Sequence, residues 1–97
     1  MTDALSDIRT RIDDIDTRIV ALIAERQTLV EAAGALKTST DAVRAPARVE
    51  QVIERVRAKA VDAGASPEVV EAAYRALIAA FIELELTVAR TGDAAAP

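Results

Sequence analysis

The chain has 97 residues, 52% of them hydrophobic, with no histidine, no cysteine and a formal net charge of −4. Those absences exclude disulfides, thiolate nucleophiles, the usual zinc ligands and the imidazole general base, and they leave Ser6, Ser39 and Ser66 without a partner for a hydrolase triad. The acidic balance argues against a nucleic-acid coat, no run reaches the roughly 18 apolar residues of a membrane span, and no leader pattern opens the chain, so a cytoplasmic protein is expected.

Ala, Leu, Ile, Glu and Arg dominate, and Tyr74 and Phe81 are the only aromatics, a composition that points to an all-α protein. The first predicted helix runs from Leu5 to Lys37 after an N-cap at Thr2 or Asp3. Leu5, Ile8, Ile12, Ile15, Ile19 and Leu22 follow one another at alternating spacings of three and four, the period of a helix packed lengthwise on another helix. Arg26 takes the next place in that seam, which resumes at Leu29, Ala33 and Leu36. A guanidinium on a burying face needs an anion. Either a ligand or a carboxylate of the last helix, such as Glu85, would satisfy it.

A helix of about 50 Å, at 1.5 Å per residue, cannot fold back into a globule within so short a chain, so an oligomer is expected. Residues 38–45 then form a loop, because small polar residues lead to Pro46, which disfavours helix at Ala45. Such a loop is long enough to cover a site. Pro46 opens a second helix that ends at Gly64 and buries Val49, Val52, Ile53, Val56 and Ala60. Ser66-Pro67-Glu68 opens a third, burying Val70, Ala73, Leu77, Phe81, Leu84 and Val88. Its FIELELTV stretch alternates like a strand, yet no turn residue separates it from the helical run before it. A disordered tail over residues 91–97 completes a single domain spanning residues 1–97.

Arg26 and Lys37 lie eleven residues apart, three turns nearly in register, so both reach into one space about 16 Å long. Arg9 is about 25 Å from Arg26 along the same helix and cannot touch the same small ligand. If the first helix pairs antiparallel with its copy, with the two-fold axis near Val20, the partner's Arg9 falls opposite the Arg26 to Lys37 span. Arg48 can then close over a pocket made by both chains. Plainer readings exist for each residue. Arg9 stands four before Asp13, the spacing of a surface ion pair, Lys37 suits a helix C-terminus, and Arg48 is an ordinary first-turn arginine. Burial of Glu85 among Ile78, Phe81, Ile82 and Val88 would favour a protonated, hydrogen-bond-donating form, and a neighbouring cation would oppose it.

The order Ile8-Arg9 with Ile12-Asp13, Ala24-Glu25-Arg26 followed eleven residues on by Lys37, and Ala45-Pro46-Ala47-Arg48-Val49 resembles the all-helical, or type II, chorismate mutase family, over nearly the whole chain. The resemblance implies an intertwined homodimer of three helices per chain, the long first helices pairing across it, with two mixed-chain sites for a small dicarboxylate and no cofactor or metal. It makes Arg26 the main carboxylate-binding arginine, Arg9 the arginine from the partner, Arg48 the holder of the second carboxylate, and Lys37 a contact of the ether oxygen. Glu85 stands where the family often has a glutamine donating to that oxygen. A glutamate donates only when protonated, so activity is expected to fall as pH rises. The mutases' acids near the start of the second helix, which receive the substrate's C4 hydroxyl, are here Ala45 and Val49. In that respect, and in Phe81, the chain is similar to the isochorismate pyruvate lyase-like subgroup. Chorismate to prephenate is the implied reaction, with isochorismate cleavage or 4-amino-4-deoxychorismate rearrangement as alternatives. A structural dimerisation module, with Arg26 paired to Glu85, is the non-enzymatic reading.

Overall fold

A computed structural model describes residues 3–95, with side chains as far as residue 88, and the part of the predicted tail beyond residue 95 lies outside it. The chain is all-α: α1 (Ala4–Gly34), α2 (Thr40–Arg44), α3 (Pro46–Ala63) and α4 (Pro67–Ala95). α2 is a correction to the expected loop. The Ser39 hydroxyl accepts from the Ala42 N–H at 3.1 Å and Asp41 sits in the first turn, enough to hold five residues in a helix. α4 also continues through residues 91–95, where a disordered tail was expected.

The cap chemistry follows the sequence. Asp3 accepts from Leu5 N–H at 3.2 Å, Ser66 accepts from Val69 N–H at 3.2 Å, and Gly64 closes α3 in the left-handed conformation with φ 77°. α1 stops three residues earlier than expected. Beyond Gly34 the bonds shorten to an i−3 pattern, from Leu36 N–H to Ala33 O and from Lys37 N–H to Gly34 O, both 3.1 Å, so the spiral carries Lys37 onward outside the regular helix.

α3 and α4 form an antiparallel hairpin whose core is Ile53, Val56, Ala60, Ile78 and Phe81. Ile78 is buried though the expected apolar face of α4 passed it by, whereas Ala73 and Val88 of that face are exposed. The outer edge of the hairpin is laced by ions. Arg75 forks onto both oxygens of Glu50 at 2.9 Å and onto Glu71 at 2.8 Å, and Arg57 reaches Glu71 at 2.7 Å. The Arg75 guanidinium beside them holds the Glu50 and Glu71 carboxyls below the usual glutamate range. Carboxyls lowered in the folded state stabilise it above their unfolded values, near 4.3, and that contribution is lost as pH falls through the lower folded values. The difference in Tm between the native chain and Arg75→Ala should therefore shrink steadily as pH is lowered from about 5 through the carboxylate range; a difference that stays constant would show that the network contributes nothing.

α1 packs only its second half on this hairpin. None of its residues is buried, and Ile8, Ile12, Ile15 and Ile19 of the seam remain between 46% and 54% exposed. The radius of gyration is 17.3 Å and the chain extends over 64 Å, against about 13 Å for the radius of a compact domain of this length. A row of isoleucines half open to water along a projecting helix has the form of one side of an interface. No helix among the described residues is long and apolar enough to cross a membrane.

Candidate active site

Where the C-terminal half of α1 crosses α4, with α2 and the start of α3 closing one side, a cavity of about 330 Å³ opens. Four cations, Arg26, Lys37, Arg44 and Arg48, line it together with one carboxylate, Glu85. Phe81, Ile78, Val49 and Val52 supply apolar wall. A small pocket of this balance, cationic on a chain of net charge −4, is built for an anion with an apolar body.

Arg26 enters from the seam. Its guanidinium carbon lies 5.3 Å from the centre of the Phe81 ring and 5.9 Å from that of Tyr74. Both of the chain's aromatics thus face one cation, which they attract through the ring quadrupole while leaving its N–H donors free. The Arg26–Glu85 salt bridge, one of the two readings the sequence left open, does not form. Glu85, one turn beyond Phe81 on α4, accepts instead from Lys37 Nζ at 3.1 Å. The Glu85 side chain is only 7% exposed and that of Lys37 27%, so the pair is shielded and worth more than a surface bridge. An ammonium has three donors, and one of them is used here.

Ala45 shapes the opposite wall. It is the C-cap of α2 and the N-cap of α3, held at φ 36° and ψ 62°, a left-handed conformation that costs a non-glycine residue roughly 1–2 kcal/mol. That reversal lets Arg44 and Arg48 reach the same cavity from either side of it. Arg48 is steadied by a 2.8 Å hydrogen bond from Nη1 to Gln51 Oε1. Ala45 and Val49 line the cavity too, so the places where the resemblance expects hydroxyl-accepting acids are apolar wall.

Arg26, Lys37, Arg48, Glu85 and Phe81 all line this one cavity. Arg9 is not among them: it lies exposed on the projecting half of α1, and it forms no ion pair with Asp13. Arg44 went unnoticed in the sequence. The signal that would have found it is Ser39-Thr40-Asp41, an N-cap with an acid in the first turn, which starts a helix ending in that arginine.

The sequence model of one family, chorismate mutase type II, matches residues 8–86. This chain belongs to that family. No curated protein shows a significant match to it. Membership in the chorismate mutase family carries mutase-type isomerase activity and a small-molecule substrate.

Proposed function

We propose that this family member rearranges chorismate to prephenate, in the cytoplasm and as a homodimer whose two sites each borrow Arg9 from the other chain. The observation that carries the reading is the cavity itself, in which Arg26, Arg48 and Lys37 converge on an apolar-walled space of about 330 Å³ with Lys37 tied to Glu85. In the rearrangement the ether C–O bond breaks as a C–C bond forms, and no atom leaves or enters. The protein has to hold a flexible dicarboxylate in its reactive shape and stabilise negative charge growing on the ether oxygen. Arg26 and Arg48 would take the carboxylates, with Arg44 adding positive field. Lys37, anchored through one N–H to Glu85, would direct a second at the ether oxygen. The half-exposed isoleucine seam of α1 supports the dimer, since a second copy of the same seam would cover it.

One observation favours a second reading. Ala45 and Val49 leave the cavity without an acid for a ring hydroxyl, and Phe81 adds bulk, which suits isochorismate and its cleavage to salicylate and pyruvate. The same surroundings admit 4-amino-4-deoxychorismate. Purified protein offered all three compounds side by side should make prephenate from chorismate fastest. Pyruvate release from isochorismate as the dominant reaction would move the assignment to the lyase, and no turnover of any of them would leave only a helical dimerisation module.

Glu85→Gln exchanges a carboxylate for an amide of the same shape that can donate to the ether oxygen. On this reading kcat/KM for chorismate should rise about tenfold, the value of one hydrogen bond of about 1.4 kcal/mol. Steady-state kinetics of the variant at neutral pH would show it.

A further inference from the structure

Two glycines in this chain have opposite reasons for being glycine. Gly64 ends α3 with φ 77°, a conformation that side chains rarely adopt, and a Cβ there would meet nothing within 4 Å. Gly34 is the reverse. It ends α1 in ordinary right-handed backbone, where alanine is the better helix former, so the backbone does not ask for glycine. What it lacks is room: a Cβ on Gly34 would lie 3.0 Å from Glu85 Oε2 and 3.4 Å from both Cδ and Cγ of the same side chain.

That oxygen is the one that accepts from Lys37 Nζ at 3.1 Å. Gly34 touches the other partner as well, since its carbonyl accepts the Lys37 N–H at 3.1 Å. Lys37 and Glu85 form a partition between the cavity described above and a second one, of about 630 Å³, that opens behind it toward Glu31 and Thr38 to Thr40 and is bordered by Gly34. With Gly34 at its back, the nearly buried carboxylate has its position set from three sides: by the ammonium, by its own helix and by the bare backbone of α1.

We propose that Gly34 is a positioning residue, whose absent side chain reserves the space in which Glu85 is held against Lys37. The catalytic consequence rests on the functional reading above; the placement of the pair does not. A methyl group at residue 34 displaces the carboxylate by a few tenths of an ångström or more, turning it away from Nζ and aiming the ammonium differently at the reacting oxygen. A misplacement of about 1 Å at a reacting centre can cost about 10²-fold in rate, so a smaller shift of this pair is expected to cost about tenfold.

Gly34→Ala is the test, read in the native background and in that of Glu85→Asp, whose side chain is one methylene shorter and vacates the contested space. The expected result is a Tm that is little changed or modestly lower, the helix propensity gained by alanine being set against a weakened ion pair, together with a kcat lower by about tenfold or more, a smaller change in KM, and a shift of the Glu85 carboxyl carbon resonance. In the Glu85→Asp background the same substitution should cost less than about threefold. Equal cost in both backgrounds, an unmoved Glu85 resonance, or a fall in Tm that Glu85→Asp fails to relieve would each overturn the proposal. If the native protein turns over none of the three substrates, the functional reading fails, and the Glu85 resonance alone decides whether Gly34 places the pair.

Discussion

Lys37→Ala is expected to lower kcat for chorismate by about 10²–10³-fold while leaving the helices in place, the loss typical of removing one donor from a developing oxyanion. Lys37 lies after the last regular turn of α1, so truncating it removes no helical hydrogen bond of that element. It does remove the cation beside Glu85, whose side chain is 7% exposed. A carboxylate left there without its partner costs roughly 1–3 kcal/mol, so Tm should fall modestly as well. The two effects separate the readings. A dimerisation module would show the drop in Tm and have no turnover to lose. A site that depends mainly on Arg26 would lose little rate with Lys37, and a kcat within about threefold of the native value would remove Lys37 from the mechanism.

The second large effect concerns Arg9, which the fold leaves exposed on the projecting half of α1. If each site takes Arg9 from one chain and Lys37 from the other, Arg9→Ala and Lys37→Ala homodimers are both nearly inactive. Unfolded together in equal amounts and refolded, they assort at random, half of the dimers are mixed, and each mixed dimer has one intact site and one doubly damaged site. Activity should return to about a quarter of the native value. A site contained within one chain would recover nothing. Ile15→Glu, which places a charge in the exposed seam near the expected two-fold axis, should abolish both the dimer and the recovery, as sedimentation and turnover would show.

How much of this was legible without coordinates depended on whether a feature was periodic. The seam of α1 and the displaced Arg26 repeat at helical spacing, so their shared face followed from arithmetic, and so did the reach to Lys37. The glycine and serine caps of α3 and α4 were equally plain, because each satisfies a specific unpaired backbone group. The partner of Glu85 was not legible. Two cations on one face compete for it, and spacing alone does not say that Lys37 takes the carboxylate while Arg26 lies against the Phe81 ring. α2 was hidden because β-branched Thr38 and Thr40 and the coming Pro46 outweighed a short capping signal at Ser39. The importance of Gly34 could not be read at all, since it depends on a carboxylate fifty-one positions away.

Tyr74 is the chain's one tyrosine, and the chain has no tryptophan. Excited at wavelengths where phenylalanine does not absorb, the protein therefore emits from one phenol, whose ring centre is 5.9 Å from the Arg26 guanidinium. An anion that draws that guanidinium toward the cavity alters the field across the ring, so occupancy of the site can be followed as a change in intrinsic fluorescence, with no label and no turnover. Arg26→Lys, which keeps the charge but loses the flat face over the rings, supplies the matching control for the signal.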